Sequence, residues 1–164
     1  MKSCSDLPEP DYAAETAWLE PVLTERIPLG GAMGISIGSL GADGIVLRAP
    51  LAPNVNDKGT AFGGALASLM ILAGWSLPRL LLARMECRAE LVIGRCEIRY
   101  LEPVAGDFEA RCAWPRAAEV RAFAEALVPG ARAKLDLAPE IHAGERVAAR
   151  LQARYAALVR GPDA

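Results

Sequence analysis

The sequence predicts an α+β fold in which a curved antiparallel sheet wraps around one buried helix. Two observations lead there. The first is an uncharged run: no Asp, Glu, Lys or Arg lies between Lys58 and Arg79. Apolar and small residues fill every face of the 3.6-residue period there, so a helix in this segment has no solvent side. The second is a set of long segments after it that alternate apolar and polar residues one by one. Such alternation means one packed face and one wet face, the habit of antiparallel sheets. The strands need an apolar partner and the helix needs cover on every side, and each supplies the other.

A bilayer would also accept the uncharged run, since about 20 apolar residues span one. The context weighs against that reading. No other segment could span, basic residues do not flank the run on one side, and period-2 patterns come directly after it. The expectation is a buried helix and no membrane partner.

The first 12 residues, with Pro8 and Pro10, read as a loose tail, followed by a single domain over residues 13–160. A helix is expected over residues 13–26, where Trp18 and Val22, and Leu19 and Leu23, sit four apart and share faces. Pro21 fits only near a first turn, so a late start or a kink is expected there. Ile27-Pro28 ends it.

Residues 34–40 and 45–49 read as two strands, and the Asp43-Gly44 pair between them signals a hairpin. The central helix is expected to start near Gly59, with Thr60 as its N-cap, and to end near Pro78. Residues 90–100 alternate: Val92, Cys96, Ile98 and Tyr100 on one face, Arg95, Glu97 and Arg99 on the other. Phe108, Ala110, Cys112 and Trp114 share a face of the next strand. Residues 119–128 carry Val120, Phe123, Ala124 and Leu127 at helical spacing, and Pro129-Gly130 stops them. Two more strands come after that. One sets Ala131, Ala133, Leu135 and Leu137 against Arg132, Lys134 and Asp136. The last sets Val147, Ala149, Leu151, Ala153 and Tyr155 against Arg146, Arg150, Gln152 and Arg154. Residues 139–144 are expected to form a turn between them, which makes His142 a surface-loop residue.

Composition narrows the function classes. The chain has 164 residues, a net charge of −2 and arginines scattered along its length, so it carries no electrostatic footprint for nucleic acid. Its four cysteines include no Cys-x-x-Cys pair and it has one histidine, so no metal site is expected. With no apolar signal core at the N-terminus, the cysteines read as reduced thiols of a cytoplasmic protein.

The candidate site lies in front of the uncharged run. Asn54, Asn56 and Asp57 precede Gly59-Thr60-Ala61-Phe62-Gly63-Gly64. A helix N-terminus presents amides without internal partners and a positive dipole end. Glycine there lets a ligand approach the backbone. Asn54 and Asn56 read equally as carbonyl or water ligands and as loop-closing Asx turns. Asp57 could activate a water if it points into the pocket, but the favoured reading is structural, as a complement to the helix dipole or a turn former. Phe62 could line an acyl pocket or fill core. Cys87 has basic neighbours in Arg84 and Arg88 but no evident base partner.

The string Asn-x-Asn-x-x-Gly-Thr-x-Phe-Gly-Gly over residues 54–64, with Leu72-Ala73-Gly74-Trp75 and Tyr100-Leu101-Glu102-Pro103-Val104, resembles the thioesterase domain of the YiiD C-terminal type. The likeness covers most of residues 14–158. It implies a hotdog fold, an acyl-CoA or acyl-carrier-protein thioester as substrate, and no other cofactor. It also implies a homodimer, or a dimer of dimers, with sites between subunits. Related thioesterases supply an oxyanion amide from Gly-x-x-His-Gly-Gly. By that likeness Gly63 is the donor, Phe62 stands where the histidine would be, and Asn56 matches the preceding asparagine. Asn56, Asp57 and Gly63 are thus the catalytic candidates, with Asn54, Thr60, Phe62 and Gly64 as substrate contacts. One departure matters: nine positions after Phe62, where such enzymes carry an acid, this chain has Ile71. A non-catalytic acyl-thioester or fatty-acyl binding module is the alternative that departure raises.

Overall fold

A computed structural model describes residues 9–159. Most of the expected N-terminal tail, residues 1–8 with Cys4, and the end of the expected domain at residue 160 lie outside them. The first helix, α1 (Tyr12–Pro21), is N-capped by Asp11, whose carboxylate accepts from the Ala14 amide at 3.0 Å. Pro21 closes it, and the chain runs on through one wider π-type turn, Val22–Arg26. Leu19 and Leu23 are fully buried, as their spacing requires. Ile27 is extended, and Pro28 then opens a short helix, α2 (Pro28–Ala32). Proline both stops the expected 13–26 helix and starts a new one, because its fixed φ suits a first helical position.

The hairpin of β1 (Ser36–Gly41) and β2 (Gly44–Ala49) comes next, closed at Gly41↔Gly44. Gly44 has φ +139°, and a Cβ there would run into the Cys112 carbonyl of the neighbouring strand. Glycine is therefore required at that corner.

The core helix is α3 (Gly63–Arg84). It differs from expectation at both ends. An isolated bridge between Val55 and Ala61, and a 2.7 Å bond from the Phe62 amide to the Asn54 carbonyl, hold the chain extended through Phe62. The helix therefore starts at Gly63, and Phe62, not Thr60, is the N-cap. At the other end Pro78 does not stop it. Leu77, Leu80, Leu81 and Leu82 are all buried around and beyond the expected stop. Packing of those leucines outweighs the roughly 3 kcal/mol a mid-helix proline costs. The helix is long and apolar enough to cross a membrane, yet 67% of its most apolar window is buried inside the protein. It is the core, not a span.

The remaining strands are β3 (Ala89–Tyr100), β4 (Phe108–Ala113), β5 (Arg132–Leu137), β6 (Glu140–Ala143) and β7 (Arg146–Val159), all antiparallel. The sheet runs β1-β2-β4-β6-β7-β3, with β5 also paired to β7. Phe108, Ala110 and Cys112 are buried, as are Ala133, Leu135 and Leu137, and Ala149, Leu151, Ala153 and Tyr155. This is the hotdog arrangement: a curved sheet around one core helix. Tyr155 ties the two layers. It is fully buried, donates to the Ile71 carbonyl at 2.8 Å, and lies so close to Gly74 that a Cβ there would meet its ring at 2.9 Å.

Two strand expectations change. In β3 the register shifts between Ile93 and Arg95, so Gly94 bulges out. The bulge reverses the alternation. By their partners on β7, Leu91 and Ile93 share the face of Cys96, Ile98 and Tyr100, while Val92 shares that of Arg95, Glu97 and Arg99. Residues 139–144 are not a turn: Glu140–Ala143 is a strand, with Ile141 fully buried and His142 opposite Glu109. The turn sits at Gly144-Glu145, where Gly144 has φ +63°. The helix expected at 119–128 is α4 (Ala117–Glu125), begun by Glu119 accepting from the Arg116 amide at 2.8 Å.

α1 is fastened to the far end of α3. Arg84 pairs with both Glu15 carboxylate oxygens at 2.6 and 2.8 Å and sits 4.5 Å from the Trp114 ring. A two-pronged ion pair against an aromatic face is among the stronger surface contacts.

Candidate active site at the head of the core helix

The loop before α3 is built by its asparagines. Asn54 is buried, and its Nδ2 donates to the carbonyls of Met33 and Pro50, both at 2.8 Å. Asn56 folds the next turn: its Oδ1 accepts from the amides of Lys58 at 2.9 Å and Thr60 at 3.1 Å. Its Nδ2 donates to the Thr60 hydroxyl at 2.9 Å. Gly59, at φ +78°, completes that turn. These are Asx-type closures, in which a side chain imitates backbone. Asn54, Asn56 and Thr60 thus hold the loop that presents the glycine pair at the head of α3.

Asp57 rides at the tip of this turn, exposed, with no ion pair among the described residues. Its carboxylate is free to meet water or a ligand.

Gly63 and Gly64 are the first two residues of α3. Their amides come before the first intrahelical donor, so neither has a partner inside the helix. The first turn carries no acidic residue and no side-chain cap, so the positive dipole end is uncompensated within the helix. Two aromatic rings flank the pair. Phe62 is 59% exposed and folds over Gly64, where a Cβ would collide with its ring. Tyr100 comes from β3; its hydroxyl donates to the Gly63 carbonyl at 2.9 Å. A Cβ on Gly63 would lie 3.4 Å from the Tyr100 ring, ordinary contact. Packing does not force glycine at 63. Val55, Leu101 and Tyr100 are each about half exposed around the same tip. In the sequence Tyr100 stood out only by strand parity and by its place in the family-like string Tyr100–Val104, with no role attached to it. Only strand pairing carries it to a glycine 37 residues earlier.

Other groups lie elsewhere. Ile71 is half-buried one face along α3, and its carbonyl receives the Tyr155 hydroxyl. His142 stands on the outer face of the sheet, lining a cleft of about 530 Å³ with Arg48, Glu109 and Arg111. Its Nε2 is 3.5 Å from Glu140, and its buried Nδ1 has no hydrogen-bond partner among the described residues. Burial pushes the Cys87 thiol above its ordinary value and Cys112 up to about 12, so both are held protonated, the opposite of an activated nucleophile. Among the described residues no cluster of His, Cys, Asp and Glu could hold a metal.

The sequence matches the family described as "Putative thioesterase (yiiD_Cterm)" over residues 16–159. The fold is similar to that of the "putative thioesterase" of Shewanella oneidensis, at 25% identity and a TM-score of 0.77, covering 89% of this chain and 99% of that one. A Chlorobaculum tepidum protein of unknown function is similar at 26% identity and a TM-score of 0.84, covering 91% of this chain and 97% of that one. A Pseudomonas aeruginosa protein shares the fold at 22% identity and a TM-score of 0.71, covering 93% and 97%.

Proposed function

The chain belongs to the thioesterase family of the YiiD C-terminal type, and from that premise we propose that it hydrolyses an acyl-CoA or acyl-carrier-protein thioester at the head of α3. One observation carries the proposal: two glycines open the core helix between two exposed aromatic rings, their amides without a partner in the helix, and the exposed Asp57 lies in the turn that precedes them. In this reading the Gly63 amide, with Gly64 beside it, receives the thioester carbonyl. Negative charge builds on that oxygen as water adds, and an amide aimed at it lowers the barrier by roughly 3 kcal/mol. Asp57 takes the proton from the attacking water. The tetrahedral intermediate then expels the thiolate, which takes up the proton held on Asp57, leaving a free acid and a thiol and restoring the carboxylate. Phe62 walls the acyl side, while Asn54, Asn56 and Thr60 hold the loop in place. No cofactor is required beyond the carrier that is part of the substrate, and the reaction belongs to the cytoplasm.

The working unit in this proposal is a homodimer. β3 is an edge strand, with Val92, Ile93 and Tyr100 exposed at 46%, 37% and 54%. An apolar edge left bare is an aggregation hazard that a second copy's strand would remove. Pairing there would also close the open side of the Gly63 tip.

Thiol release from a panel of acyl-CoAs tests the reading, with Asp57→Ala and Asn56→Ala in parallel. Full activity in both variants would remove them from the mechanism. One observation favours a second reading, a non-catalytic acyl-thioester binding module. The core helix holds no Asp, Glu or His over its whole length. Ligand-dependent thermal stabilisation without thiol release would select it.

A further inference from the structure

We infer that Tyr100 is a positioning residue that sets the aim of the Gly64 amide. The inference rests on the thioesterase reading and adds a residue to it. The carbonyl of Gly63 and the N–H of Gly64 belong to one planar peptide unit and point opposite ways. Tyr100 donates to that carbonyl at 2.9 Å from β3. Beside the helix's own bonding of that carbonyl, its hydroxyl is a second constraint on the direction in which the Gly64 N–H points. Fixing matters here because the unit lies between two glycines, the residues with the widest backbone freedom. It sits at a helix start with no side-chain cap, where fraying is easiest.

The same bond also polarises the peptide. Withdrawing charge through the carbonyl makes the N–H on the other side of the unit a stronger donor. The Tyr100 ring lies against Gly63 without crowding it, since even a Cβ there would keep 3.4 Å from Cζ and 3.5 Å from Cε1 and Oη. Though 54% exposed, the side chain makes a directed bond to another element, which a merely solvated tyrosine would not need. Because Tyr100 ends the edge strand, the aim of the amide is tied to whatever pairs with β3.

The variant Tyr100→Phe keeps the ring and its contact with Gly63 and deletes only the hydroxyl. Two readouts are taken: steady-state thiol release, and the proton shift of the assigned Gly64 amide. Thermal unfolding verifies that the variant is folded. The expected result is a kcat lowered by about tenfold with KM held within about twofold, the mark of an interaction that strengthens in the transition state. The Gly64 amide should move upfield while amides on β5 and α4 stay still. An unmoved Gly64 amide overturns the inference, as does an unchanged kcat. If the unaltered protein cleaves no thioester, the thioesterase reading falls. Tyr100 then stands or falls on the amide shift alone, which needs no turnover.

Discussion

Replacing Gly63 by alanine separates the two reasons a glycine can stand at the head of a helix. The added Cβ would meet Tyr100 at 3.4–3.5 Å, so nothing has to move. Gly63 is helical with no positive φ, so alanine adopts its backbone without strain. Removing a glycine from a helix is worth up to about 1 kcal/mol, less at a first position. In a chain of this length that corresponds to a Tm higher by roughly 1–4 °C. Activity should go the other way. Under the proposed mechanism, the new methyl stands next to the amide that receives the thioester carbonyl. Blocking one oxyanion donor costs about 100- to 1,000-fold in kcat. The assay is thermal unfolding beside thiol release from the best acyl-CoA of a panel. A more stable variant with unchanged kcat/KM would refute the claim that a ligand touches these amides. A Tm lowered by several degrees would refute the packing argument at Tyr100.

Gly74→Ala should destabilise by about 1–3 kcal/mol, because its Cβ would drive the Tyr155 ring off the helix; denaturant unfolding reads it, and unaltered stability would mean the layers can separate freely. Asn54→Ala leaves the Met33 and Pro50 carbonyls without their donor and should cost about 2 kcal/mol, measured by the same titration. Asp136 is held below its ordinary pKa by its hydrogen bonds to Arg154. A depressed carboxylate stabilises the fold above its unfolded pKa and loses that contribution as pH falls through its folded one. Stability should therefore drop below about pH 4, and Arg154→Gln should flatten that limb modestly, the pair being exposed. Ile93→Lys puts a charge on the bare edge strand; under the proposed homodimer, light scattering should find a dimer for the unaltered chain and a monomer for the variant.

Much of this protein is set by its residue order. The uncharged run and the period-2 strands demand each other, so the sheet around a helix results from solvation alone: the helix from 63 to 77 has no face that water would accept. The faces of β4, β5 and β7 come from parity, as do the buried Leu19 and Leu23 from helical spacing. The string from Asn54 to Gly64 likewise marks the loop that leads into the core helix.

Other features exist only once distant parts meet. The start of α3 moves to Gly63 because a bridge to Val55 and a bond to Asn54 keep residues 60–62 extended, and no local propensity carries that information. Its extension past Pro78 depends on four leucines finding a sheet to cover them. The reversal of faces along β3 arises at Gly94, where a one-residue bulge is decided by pairing with β7 rather than by the residues themselves. His142 becomes a strand residue because Glu109 lies opposite. Tyr100 reaches Gly63 through strand pairing, since a hydrogen bond of 2.9 Å across 37 residues has no period to announce it. Local chemistry chooses which groups seek burial or partners. Long-range packing chooses which of them meet, and a site is made of meetings.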